Sequence, residues 1–158
     1  MSRSIVLAVD GSNIAEMAFC WYLSNLYRDG DEVNVICVHD MSEVEVPYIL
    51  GPEPIVIPDT YEEAIRESYE KSKKLLSEYK KRLEEKSVKS VGHLRTSHGS
   101  AGSEICKLAE ESKADCIVMG SRGLGTIRRT FLGSTSDYVL HHSDCPVLIW
   151  KQHHAVKA

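Results

Sequence analysis

A continuous apolar run, Cys116–Met119, stops abruptly at Gly120 and leads into Gly120-Ser-Arg-Gly123; further on the chain reads Gly133-Ser134-Thr135-Ser136. An apolar run without polar alternation is what a parallel strand buried on both faces requires. The same pattern opens the chain, where Ser4–Val9 ends at Asp10-Gly-Ser12. It also closes the chain, where Cys145-Pro leads into Val147-Leu-Ile-Trp150. Helical periodicity separates these runs, so β and α alternate, which implies right-handed crossovers and a parallel sheet. Ligands of such sheets bind beyond the carboxyl ends of the strands, so function is expected where these runs stop.

The segment after Gly120 carries the chemistry. Gly120 and Gly123 are read as corners that can take positive φ and approach a ligand with no Cβ in the way. Gly133 or Ser134 starts a helix, and the first N–H groups of a helix lack internal partners and carry the positive end of its dipole. Ser134, Thr135 and Ser136 add hydroxyl donors beside them. Each charge-assisted bond to a phosphate would contribute about 1.5–3 kcal/mol. An ordinary strand-to-loop turn or an ordinary N-cap explains either half alone; together the halves describe a phosphate cradle.

Gly120-x2-Gly123-x9-Gly133-Ser134 resembles the G-x2-G-x9-G-[ST] signature of the ATP-binding branch of the universal stress protein family. The opening Ile5-Val-Leu-Ala-Val-Asp10-Gly-Ser12 and the closing Cys145-Pro-Val-Leu-Ile149 resemble the same family, so the likeness covers nearly the whole chain. It implies a Rossmann-like α/β domain, usually dimeric, that holds an adenine nucleotide, ATP or AMP, and acts in stress responses or signalling. By the same resemblance Asp10 approaches the ribose or a phosphate-bound cation.

At 158 residues, 42% of them hydrophobic, the chain suffices for one domain over 1–150 followed by a flexible tail over 151–158. The net charge of −4 arises from intermixed acidic and basic residues, which disfavours nucleic acid as a partner. No apolar stretch reaches bilayer length and Met1-Ser-Arg-Ser4 runs directly into a strand, so no membrane span or secretory leader is expected. The five cysteines form no C-x-x-C pair and mostly occupy expected apolar faces. Reduced core thiols and a cytoplasmic protein are the reading.

Along the chain, Ser12 or Asn13 caps a helix to about Arg28, with Ala15, Ala18, Phe19, Tyr22, Leu23 and Leu26 inward and Asp29-Gly30-Asp31 as its stop. Glu32–His39 is the second strand. Residues 40–58 hold four prolines among apolar residues and are read as a loop, either a lid, a subunit contact or a cover on its own domain. A charged helix follows from Asp59 to about Lys86, with an inward stripe of Tyr61, Ile65, Tyr69, Ser72, Leu76, Tyr79 and Leu83. Ser90–Thr96 is a polar strand interrupted by Gly92, and Ala101–Ser112 is the third helix.

The polarity of Ser90–Thr96 suits a sheet edge, which selects the five-stranded parallel order 3-2-1-4-5, with helices on both faces, over the order 2-1-3-4-5. Strands 1 and 4 then lie side by side at the switch point. The last strand becomes the other edge, too apolar to be left bare, so a homodimer through residues 146–150 is expected.

The candidate nucleotide-binding residues are Ala8, Val9, Asp10, Val38, Met119, Gly120, Arg122, Gly123, Gly133, Ser134, Thr135 and Ser136. Ala8, Val9 and Val38 offer the dry wall and backbone bonds that a base requires. Mg²⁺ or Mn²⁺, if bound, would be held mainly by phosphate oxygens and water, with Asp10 as the protein ligand. No catalytic residue is assigned. The leading reading is a nucleotide-binding module. A slow ATPase or phosphotransferase in the same pocket lacks a G-x4-G-K-[ST] loop and a convincing base. The third reading is a dimeric interaction protein without nucleotide.

Overall fold

The computed structural model describes residues 2–44, 58–121 and 132–151, without the side chains of 43, 58 and 59. Five strands, β1 (Ser4–Val9), β2 (Glu32–Asp40), β3 (Lys89–Ser97), β4 (Cys116–Gly120) and β5 (Val147–Trp150), form one parallel sheet in the order β3-β2-β1-β4-β5. That is the order selected by the polarity of β3. Four α-helices alternate with them: α1 (Asn13–Trp21), α2 (Pro58–Glu85), α3 (Ala101–Glu111) and α4 (Ser134–His142).

Side-chain alternation divides the core into two layers. Ile5, Leu7, Val9, Val33, Val35, Cys37 and Val118 face α1 and α2, where they meet Phe19, Tyr22, Leu76, Tyr79 and Leu83. Val6, Ile36, Ile117 and Met119 face α3 and α4, against Ile105, Leu108, Ala109 and Val139. The central strands are therefore buried on both sides, which is why they read as unbroken apolar runs.

Several boundaries differ from the sequence expectation for local reasons. The first helix does not continue regularly to Arg28: after Trp21 it becomes a π-helical turn, Tyr22–Leu26, closed by the Tyr27 N–H on the Tyr22 carbonyl. The pattern of apolar residues cannot register this change, because the widened turn keeps Tyr22 buried. Beyond it, buried Asp31 gathers the chain end. Its carboxylate accepts from Arg3 Nε at 2.8 Å, Arg3 Nη2 at 2.7 Å, the Tyr22 hydroxyl at 3.0 Å and the Arg28 N–H at 3.1 Å. Burial alone would raise its pKa, but these donors, led by Arg3, leave it lowered.

β2 extends one residue past His39, and α3 ends at Glu111 with Ser112 as its cap. Gly92 does not interrupt β3. It lies in an unbroken strand, and the Lys80 side chain of α2 packs over it, 2.6 Å from where a Cβ would stand. The polarity of β3 also has partners: His93 Nε2 lies 2.9 Å from Asn34 Oδ1, and Arg95 pairs with Glu104 and Glu111 of α3. In α2 the expected inward stripe is fully buried only in the second half, while Ile65 and Ser72 are half-buried. Leu76, Tyr79 and Leu83 are buried, whereas Tyr61 and Tyr69 are exposed.

α1 and α2 are clasped by Glu16. Its carboxylate receives both Arg82 amino groups, at 2.7 and 2.6 Å, and the Tyr79 hydroxyl at 2.7 Å, while the Arg82 guanidinium lies 4.4 Å from the centre of the Phe19 ring. Arg82 chiefly, with Tyr79 and Cys20 and against the effect of burial, holds the Glu16 pKa down from 4.5 to about 2. A depressed carboxylate stabilises the fold above its unfolded pKa and loses that contribution as pH falls through its folded pKa. Glu16→Gln should therefore lower the urea midpoint at pH 7, and the gap from the wild type should close between about pH 4.5 and 2. A gap that persists unchanged at pH 2 would show that charge is not what the clasp uses.

Candidate functional site

At the carboxyl ends of β1, β2 and β4 the sheet opens into a cleft of about 470 Å³, counting its space open to solvent. It lies where the connections from β1 and β4 leave in opposite directions, α1 onto one face and α4 onto the other. Ala8, Val9 and Asp10 come from β1 and its turn, Ile36 and Val38 from β2, and Met119 and Gly120 from β4. Ala15 comes from the first turn of α1, Ala101 and Ile105 from the first two turns of α3, and Thr135 and Ser136 from the first turn of α4. Its lining is mostly apolar, with Asp10, Thr135 and Ser136 as the polar side chains.

Three helices start around this cleft, and their caps differ. Ser12 accepts the Ala15 N–H at 3.2 Å and caps α1; Ser100 accepts the Ser103 N–H at 3.2 Å and caps α3. α4 begins at Gly133, which has no side chain to offer, and no side chain among the described residues caps it. A helix start without a cap leaves its N–H groups available to an anion. Gly133 holds φ −64° and ψ 157°, an extended conformation open to any residue, so its value lies in the missing side chain. The Ser136 hydroxyl is buried and donates to the Gly133 carbonyl at 3.0 Å, which fixes the turn.

Asp10 begins an Asx turn: its Oδ1 accepts the Ser12 N–H at 2.9 Å, and Gly11 follows with φ 81°. The turn sets the carboxylate on the cleft rim beside the start of α1. Among the described residues no three His, Cys, Asp or Glu side chains cluster as a metal site would need. The Asp10 carboxylate on the rim is suited to a hydroxyl or to an ion whose other ligands come from elsewhere.

Gly120 corrects the reason given for it from sequence. Its φ is not positive; the positive-φ glycines among the described residues are Gly11, Gly30 and Gly99. A Cβ at Gly120 would lie 2.6 Å from Ile14 Cγ2, 2.7 Å from the Ile14 carbonyl carbon and 2.8 Å from its oxygen. The glycine is required because the α1 backbone passes directly over the end of β4. It serves the cleft by bringing that helix close.

Of the residues expected at the site, Ala8, Val9, Asp10, Val38, Met119, Gly120, Thr135 and Ser136 line this one cleft. Gly133 and Ser134 start α4 at its border without lining it. Arg122 and Gly123, with Arg128, Arg129 and most of the 40–58 loop, lie outside the described residues. Sequence reasoning missed Ala15, Ile36, Ala101 and Ile105. Ile36 was recoverable, since it precedes Val38 by two in a strand and shares its face; the helix residues became neighbours only through packing.

His39 is not brought to the cleft. It is buried on the α2 side, Nε2 lying 3.1 Å from Ser68 Oγ and its ring edge-on to Tyr69.

With this geometry the chain can be compared with known proteins. The model of the universal stress protein family matches residues 1–151. The chain belongs to this family. Universal stress protein MJ0531 of Methanocaldococcus jannaschii is 32% identical over 154 residues, which cover 95% of this chain and 82% of that one. The solved structure of hypothetical protein MJ0577 superposes with a TM-score of 0.79 at 25% identity, covering 97% and 98% of the two chains. A universal stress protein family protein from Arabidopsis thaliana, solved with AMP bound, has a TM-score of 0.63 at 21% identity, covering 99% of this chain and 96% of that one. A universal stress protein solved in complex with cAMP has a TM-score of 0.51 at 22% identity, covering 93% and 95%. Among the described residues of this universal stress protein, no helix is long and apolar enough to cross a membrane.

The fit of α1 against Gly120 can be tested apart from any ligand. Gly120→Ala should cost about 1–3 kcal/mol, as overpacking against backbone does, and lower the melting temperature of the ligand-free protein. An unchanged melting temperature would mean that α1 is free to retreat.

Proposed function

We propose that this universal stress protein binds an adenine nucleotide, ATP or AMP, in the cleft, and that occupancy rather than turnover carries its role in stress response or signalling. The observation that carries the reading is the juxtaposition of an apolar slot with the uncapped start of α4. Ala8, Ile36, Val38 and Ile105 suit the faces of a planar base, which needs a dry wall and a few backbone bonds. Asp10 suits a ribose hydroxyl, and the Thr135 hydroxyl with the first α4 N–H groups suits a phosphate. AMP and cAMP in two relatives of the same fold support this assignment of ligand class. Gly123 and Arg122 belong to the proposed phosphate side on the strength of the glycine signature. Mg²⁺ or Mn²⁺, when present, would be shared between the phosphates and Asp10.

The proposal includes a homodimer through β5, in a cytoplasmic protein. β5 is an edge whose four apolar residues are each only half-buried. The exposed Met17 and Trp21 lie on α1 and the exposed Leu140 on α4, helices that flank this end of the sheet. A second copy placed edge to edge would cover such a strand.

Protein released from denaturation should yield an adenine nucleotide by mass spectrometry, or, once stripped, bind ATP, ADP or AMP in calorimetry without releasing phosphate. Gly133→Val should weaken that binding about tenfold or more, as loss of one phosphate contact of about 1.5–3 kcal/mol implies, with circular dichroism unchanged. Undiminished affinity would defeat the cradle, and steady phosphate release would favour an ATPase. In sedimentation, the wild type should run as a dimer at micromolar concentration and Ile149→Lys as a monomer; a monomeric wild type sinks the β5 interface.

A further inference from the structure

A second groove, between α3 and the turn from α4 into β5, is separate from the cleft. Cys106 of α3 and Cys145 of the turn both line it. Both are half-buried and both pack on the α3/α4 side of the sheet. The other thiols are placed elsewhere. Cys116 packs on the opposite side, Cys37 is buried on that same opposite side, and Cys20 is exposed on α1. Cys145 lies within electrostatic reach of both Cys106 and Cys116, but of these only Cys106 shares its solvent-reached groove and its layer.

The Cys145 thiol is held in place by its own turn. Ser143 Oγ donates to the Cys145 carbonyl at 3.0 Å, accepts the Cys145 N–H at 3.2 Å and lies 3.4 Å from Cys145 Sγ, just before Pro146. On the same layer, Gly102 lets α3 approach α4, since a Cβ there would come within 2.8 Å of the Tyr138 ring. The two thiols line the same groove and lie near enough for each to be felt electrostatically by the other, and Ser143 lies against one of them.

We propose that Cys106 and Cys145 form a redox pair that a hydroperoxide converts to an intramolecular disulfide. One thiolate attacks the peroxide O–O bond, giving a sulfenic acid and hydroxide; the second thiolate displaces hydroxide from that sulfur, forming the S–S bond. With two protons taken up by the departing hydroxides, two thiols and one hydrogen peroxide yield one disulfide and two waters. The bridge joins α3, whose Ala101 and Ile105 line the cleft, to the turn that leads into β5. Burial first, then the neighbouring Cys145 and Asp144, raise the Cys106 pKa above the ordinary thiol value. The Cys106 thiol is therefore slow at neutral pH and reacts faster as pH rises.

Treatment of the full-length, nucleotide-free protein with hydrogen peroxide, followed by thiol titration in denaturant, tests this directly. Titratable thiols should fall from five to three, with the loss of two hydrogen masses from the monomer, and peptide mapping should recover the 106–145 crosslink. Cys106→Ser and Cys145→Ser should each abolish the monomeric mass loss, and Cys20→Ser should leave it intact. Oxidation confined to Cys20, a monomeric crosslink that survives Cys106→Ser, or five thiols remaining after treatment would overturn the pairing. Because no nucleotide is present, these outcomes are independent of whether the cleft binds one.

Discussion

The structure depends on β1 pairing in parallel with β2 on one side and β4 on the other. Ile5, Val6 and Leu7 are almost completely buried because layers of helix cover both faces of this central strand. Burial of a parallel strand on both faces satisfies its backbone groups through its neighbours and its side chains through both layers. The same pairing creates the cleft, since the chain leaves β1 and β4 toward opposite faces of the sheet. Stability and the candidate site therefore share one cause.

Around that opening the fold treats its helix starts unequally. α1 and α3 satisfy their first N–H groups with the serines Ser12 and Ser100, while α4 is given a glycine. Capping by serine is worth about 1 kcal/mol to a helix, and a glycine cap forfeits only part of it. That small cost leaves an anion-attracting terminus beside the apolar slot. Gly120 makes a comparable contribution by another route, allowing the Ile14 backbone to cross the end of β4 at a distance no side chain would tolerate.

Polar groups elsewhere maintain this arrangement. Asp31 ties Arg3 at the start of β1 to the end of the first helix, and Glu16 ties α1 to α2 through Arg82 and Tyr79. Both contacts span the layer opposite the cleft's apolar wall. They fix α1, and with it the Asx turn at Asp10 and the packing over Gly120. The far layer, where α3 meets α4 over Gly102, holds the cleft's apolar wall and the Cys106 and Cys145 thiols.

The sequence by itself determined the alternation of strands and helices, the position of β3 at an edge, and eight of the cleft residues, because these follow from local periodicity and from where apolar runs end. Its glycine signature also carried the family likeness that the match over residues 1–151 bears out. Tertiary structure decided what periodicity cannot encode. Ala15, Ala101 and Ile105 became cleft residues, Gly120 and Gly92 proved to be packing glycines, and Tyr61 and Tyr69 fell outside the core. Each of these depends on how closely one element approaches another across the sheet, a distance set by the summed shapes of residues far apart in the chain.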